Sequence, residues 1–127
     1  MASASETYHE PLDVLSSKTR NMHRALVSLQ EELEAVDWYQ QRAEGSDDPD
    51  LREILLHNMR EEVEHAAMVL EWLRRNSADF DEQLRTYLFR EGPITELEED
   101  AVGGEAADED PAPRPRLSIG SLKGAPS

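Results

Sequence analysis

Met59-Arg60-Glu61-Glu62-Val63-Glu64-His65-Ala66 sits inside an apolar pattern of helical period and breaks it with charge. Leu51, Leu55, Met59, Ala66, Val69 and Leu73 recur in steps of three, four and seven, which marks the buried stripe of an α-helix. Glu62 falls between Met59 and Ala66 in the same phase, so a carboxylate points where apolar atoms are expected. His65 lies three residues on, one turn along the same face. An ionised carboxylate left unpaired in a core costs roughly several kcal/mol, so something must compensate it.

Working outward, Asp47, Asp48 and Pro49 predict a turn and the start of this helix, which should end near Asn76. An earlier helix is predicted from the first turn at Pro11, where a missing N–H costs nothing, to about Gly45. Its apolar seam runs Leu12, Leu15, Met22, Leu26, Leu29, Leu33 and Val36, with Thr19 in the one gap. A shorter third helix is expected from about Asp79 to Phe89, with Ser77 as N-cap and Leu84 and Leu88 inward. At ~1.5 Å per residue the first two helices span roughly 50 and 40 Å. Joined by a short turn they form an antiparallel hairpin, whose exposed seam needs a partner to complete a four-helix bundle; a second copy is the simplest one.

The totals bound the rest. The chain has 127 residues, enough for one small domain, and carries 28 acidic against 13 basic side chains, a net charge of −15. That balance argues against nucleic acid or an anionic membrane as partner and suits attraction of metal cations. Without cysteine there is no disulfide, thiolate metal site or thiol catalysis. No signal-like or membrane-spanning run is visible, so a soluble cytosolic protein is expected. The composition predicts a flexible arm over residues 1–10, a helical domain over 11–95 and a disordered acidic, proline-containing linker over 96–116. Apolar residues return in the last segment, 117–127, which has the form either of a docking peptide or of an inert tail.

Glu32 flanks the seam of helix one beside Leu29, Leu33 and Val36, and with Glu62 and His65 makes three inward polar groups. Di-iron carboxylate bundles take one Glu from each of two helices and a Glu-x-x-His from each of the other two. This chain offers one Glu32 and one Glu62-Val63-Glu64-His65, which is half the set, and a symmetric dimer would supply the remainder. A Glu-x-x-His in an acidic helix can also be a solvated surface pair; the inward phase of Glu62 and the half-bundle length favour the metal. Oxygen ligands with a few imidazoles suit iron or manganese, with zinc still open. Glu31 with Glu34, and His57 with Glu61 and Glu64, share other helix faces, as solvated charge or as sites for a hard cation. Trp38, Tyr39 and Trp72 read as core or interface aromatics, and His9 and His23 have no companion ligands.

At these residues the sequence resembles the encapsulated ferritins of bacterial encapsulin nanocompartments. The resemblance runs over roughly residues 9 to 99. It rests on His9-Glu10-Pro11, His23-Arg24-Ala25, Glu31-Glu32-Leu33-Glu34-Ala35-Val36-Asp37-Trp38-Tyr39, Glu61-Glu62-Val63-Glu64-His65-Ala66-Ala67-Met68, Leu70-Glu71-Trp72-Leu73-Arg74-Arg75 and Arg85-Thr86-Tyr87-Leu88-Phe89. It implies an all-α hairpin with a short third helix, paired into a ferritin-like four-helix bundle, five pairs making an annular decamer. By the same resemblance Glu32 and His65 would be terminal iron ligands, Glu62 would bridge two irons, and Trp38 and Tyr39 would lie close by. Glu31 and Glu34 would mark where metal enters. His57, Glu61 and Glu64 would form an outer-surface site for a cation such as Ca2+ or Zn2+. Leu117, Ile119 and Leu122 would be the apolar anchors of a peptide that docks the cargo on the encapsulin shell, with Ser118 where glycine is more usual.

The expected function is therefore a ferroxidase that oxidises Fe2+ with O2 in the bacterial cytoplasm, inside an encapsulin compartment that stores the mineral. Two other classes need the same ligands: a helical cargo or adaptor whose metal only staples the dimer, and a di-iron protein that reduces peroxide or senses oxygen.

Overall fold

The computed structural model describes residues 8–98, and among them every regular element is helical. We number the α-helices α1 (Ser17–Gly45), α2 (Pro49–Asn76) and α3 (Ala78–Tyr87). Short 3-10 turns at Leu12–Val14 and Ile94–Glu96 flank them.

Each start has a local cause. Asp48 caps α2 by accepting the N–H of Leu51 at 3.1 Å, with Pro49 in the first turn, as the sequence predicts. Ser77 caps α3 by accepting the N–H of Phe80 at 3.1 Å. The first helix begins later than expected. Pro11 opens only a 3-10 turn, and Ser16 starts α1 by accepting the N–H of Thr19 at 3.1 Å. A serine that can bond the first orphan N–H groups fixes the boundary more strongly than a tolerated proline. The Arg20 guanidinium donates to the carbonyl of Leu12, and Tyr8 stacks on His23 with ring centroids 4.1 Å apart, so the preceding turn lies back along α1.

The chain divides into two compact units, one running to Asp81 and the other from Glu82. In the first, α1 and α2 pack along each other as the expected hairpin. Its innermost side chains, Ala43, Ala66 and Leu73, lie on the predicted stripe or in line with it. Leu33 and Leu51, also expected inward, are about half exposed. They stand at the shoulders of the contact face, where one hairpin cannot cover them. At the foot of α2, Arg74 grips Glu71 through two bonds of 2.9 Å and also reaches Asp81, while Arg75 adds a 2.7 Å bond to Glu71.

Those bonds, Arg74 first, hold the Glu71 carboxyl at about 2, below its ordinary 4.5. A depressed carboxyl stabilises the fold above its unfolded pKa and loses that contribution as pH falls from 4.5 toward 2. Glu71 is 43% exposed, so solvent screening limits the effect to about 1 kcal/mol. Glu71→Gln is expected to melt below the parent at pH 6, and the gap should close on acidification through that window. A gap independent of pH would show that the ion pairs add no stability.

In the second unit α3 stops at Tyr87, and Phe89 turns the chain with a φ of 60°, followed by Gly92 at 95°. Leu88, expected inward on α3, is instead exposed because the helix has already ended there. Leu97, within the stretch expected as linker from residue 96, is buried at 2% exposure, and Glu96 closes a 3-10 turn. The remaining linker, the segment 117–127 and residues 1–7 of the arm lie outside the described residues.

Candidate metal centre

Glu32 comes from the middle of α1, and Glu62 and His65 from the middle of α2, where the antiparallel helices bring them level. His65 Nδ1 lies 3.2 Å from Glu62 Oε1 and 3.5 Å from Glu32 Oε1. One ligand atom from each of the three falls within 4.8 Å of the others. They are the one such group of three or more among the described residues. Their side chains are partly covered, 26% exposed for Glu32, 22% for Glu62 and 42% for His65.

The electrostatics follow from two carboxylates sharing a small space. Glu32 is raised from its ordinary value, first by its hydrogen bond with Glu62, then by burial and the Glu62 charge. Glu62 is lowered, chiefly by that same bond, so the two carboxyls are pushed apart in opposite directions. His65 is raised, foremost by its hydrogen bond to Glu62. A cation placed among the three would compete with any proton bound to these groups.

The residues fit a metal by a simple test. Ligands to one metal at about 2.0–2.2 Å stand no more than about 4.4 Å apart, so the cluster needs only a small contraction. Two oxygens and one imidazole suit iron, manganese or zinc and disfavour soft metals. Three side chains alone cannot fill the coordination sphere of such an ion.

The surroundings carry a second fact. In steps of three, four and seven, Leu51, Ile54, Asn58, His65, Met68 and Trp72 run along one flank of α2, and Leu51, Ile54, Met68 and Trp72 are all exposed. Trp38, half exposed, follows on the matching flank of α1. The three candidate ligands thus stand at the edge of an apolar surface that the described residues do not cover.

The other sites expected from the sequence are not drawn together in the same way. Glu31 and Glu34 are exposed on α1 and join no group of three. His57 approaches Glu61 at 3.9 Å in an exposed i, i+4 pair, and Glu64 does not complete it. Trp38 lines a shallow surface pocket with Gln41 and Arg42, and the Arg42 guanidinium lies 5.3 Å from the centre of the Tyr39 ring. Tyr39 is two turns beyond Glu32 on the same side of α1, about 10 Å along the axis.

Against known proteins, the profile of the EncFtn-like family matches residues 7–91. The chain belongs to this family, the encapsulated ferritins. A relative from Rhodospirillum rubrum, described as an encapsulated ferritin-like protein, is 57% identical over 130 residues, covering 98% of this chain and 93% of its own length. An encapsulin nanocompartment cargo protein of Myxococcus xanthus is 36% identical over 105 residues, covering 76% of this chain and 80% of that protein. The crystal structure of a Nitrosomonas europaea protein superposes with a TM-score of 0.68 at 55% identity, over 70% of this chain and 98% of that one. Its agreement in fold places this encapsulated ferritin among all-helical proteins of the same hairpin design. No helix among the described residues is long and apolar enough to cross a membrane.

Proposed function

We propose that this encapsulated ferritin is a ferroxidase. Two copies pair to form a two-iron site, oxidise Fe2+ with O2, and release Fe3+ for storage inside an encapsulin shell. The observation that carries the reading is the cluster of Glu32, Glu62 and His65 at the edge of an uncovered apolar flank. A second hairpin laid on that flank would cover the apolar side chains and bring its own three ligands to the first set.

Charge supports the pairing. Each chain brings two carboxylates, so two copies bring four, a charge of −4 that two Fe2+ ions neutralise. Iron is the substrate here. As the family resemblance implies, Glu62 would bridge both ions, and Glu32 and His65 would each hold one end. Such a set leaves positions open, as reactive centres require and structural ones do not. Carboxylates favour Fe3+ over Fe2+. Each Fe2+ gives up one electron, and O2 takes up the electrons with an equal number of protons, leaving as H2O2 after two or as two waters after four. The oxidised ion then departs and the three side chains return to their metal-free contacts.

Aerobic Fe2+ oxidation by the purified protein, followed by absorbance and an oxygen electrode, tests the reading. Oxidation well above the buffer rate, lost in Glu32→Ala and His65→Ala, is expected. Metal uptake without oxygen consumption would leave a metal-stapled cargo protein instead.

The shell partner rests on the family and on Leu117, Ile119 and Leu122, which keep the apolar spacing of a docking peptide. Removing residues 117–127 is expected to abolish co-purification with an encapsulin shell and leave the oxidation rate unchanged. Retained loading would assign docking to another part of the chain. Within this reading the protein works in the bacterial cytoplasm, enclosed by the shell. Glu31 with Glu34, and His57 with Glu61 and Glu64, would gather cations on the way in and on the outer face.

A further inference from the structure

Two short polar side chains on α1 and α2 have no evident work within the hairpin. Ser28 stands four residues before Glu32, and Asn58 stands four residues before Glu62. Both are half-buried, and neither side chain makes a hydrogen bond among the described residues. Serine and asparagine are poor helix-interior residues, and in the single chain their polar atoms stay open to solvent and so free to take a partner. A mid-helix serine usually returns its hydroxyl to the carbonyl four residues back. Ser28 does not.

Helix geometry gives the same relation twice. Residues four apart have Cβ atoms about 5–6 Å from each other, and helical side chains lean toward the N-terminus. The Glu32 carboxylate therefore leans over the turn that carries Ser28, and the Glu62 carboxylate over the turn that carries Asn58. Carboxylates that bind metals are themselves hydrogen-bonded by an outer shell that fixes their orientation. Of the other half-buried polar groups on these helices, Gln30 points to the opposite flank of α1, and the Tyr39 ring is engaged by Arg42.

We propose that Ser28 and Asn58 are positioning residues, donating hydrogen bonds to the outward lone pairs of Glu32 and Glu62 when those carboxylates hold metal. The inference rests on the metal-binding role of the cluster and does not depend on the redox chemistry. The hydroxyl of Ser28 and the amide of Asn58 aim the carboxylates without ligating the ion. Two copies would place four such donors around one site, two from each chain.

The test is anaerobic Co2+ titration of the full-length, assembled protein by visible absorbance, with thermal unfolding of the metal-free protein measured alongside. Ser28→Ala and Asn58→Leu are expected to weaken Co2+ binding by about 10- to 100-fold and to shift the absorption bands. Ser28→Thr, which keeps the hydroxyl, should bind like the parent, and metal-free stability should stay near the parent's in all three. If Asn58→Leu fails to assemble, Asn58→Ala takes its place. Binding within about twofold of the parent, with an unchanged spectrum, would overturn the assignment. A parent that binds Co2+ but does not oxidise Fe2+ would remove the ferroxidase reading and leave this one standing. No uptake of Co2+ by the parent would overturn the metal centre and this inference together.

Discussion

Replacing Glu62 with alanine is expected to remove Fe2+ oxidation down to the buffer rate, a loss on the order of a hundredfold or more. Losing an outer-shell partner already costs about 10- to 100-fold, and Glu62 is assigned to hold both ions. In a pair of chains the substitution deletes two bridging carboxylates and leaves each ion with one Glu32 and one His65. It also frees His65 from the 3.2 Å contact and Glu32 from the carboxyl that holds it above its ordinary value. The metal-free fold should survive, because the change relieves like-charge crowding and alanine is a strong helix former. Stopped-flow absorbance under air, with circular dichroism as the control for folding, would measure it. Oxidation at the parental rate in Glu62→Ala would show that the chemistry happens elsewhere.

Ile54→Asp is expected to break self-association. Ile54 is 56% exposed on the flank that carries the metal ligands, about 12 Å along α2 from Glu62. It touches none of the ligands, so its effect would come from the interface alone. Stable interfaces bury about 800 Å2 on each partner around a dry centre, and an uncompensated carboxylate there costs several kcal/mol as an order of magnitude. Light scattering after size exclusion should find the parent in a multimer of paired chains and the variant in a smaller species, with Fe2+ oxidation falling in step. A variant of parental mass and activity would place the interface on another face.

Much of this architecture was legible in the sequence because its signals are local. Asp48 and Pro49 announce α2, and Glu62 and His65 differ from their apolar surroundings enough to mark the group they form with Glu32. The start of α1 was harder to read: Pro11 and Ser16 are both acceptable beginnings, and only the bond from Thr19 decides between them. Leu88 was misplaced because apolar spacing persists past Tyr87, whereas the left-handed turn at Phe89 has no glycine to announce it. Leu33 and Leu51 were expected inside because periodicity gives the direction of a side chain and not what lies opposite it. Ser28 and Asn58 went unread for a related reason. Their signal is a polar residue four before each ligand, and it gains meaning only once both are found half-buried and unbonded.

The level placement of Glu32 and Glu62 on neighbouring helices has a kinetic consequence. On the proposed reading, half of a reactive centre on every chain would make the rate a matter of encounter: a dilute, newly made chain would be inert toward iron, and activity would rise steeply as chains meet. Crowding the chains into a small volume would then be an activator in its own right, holding each half-site near its complement. Oxidation would be confined to places where the product has somewhere to go.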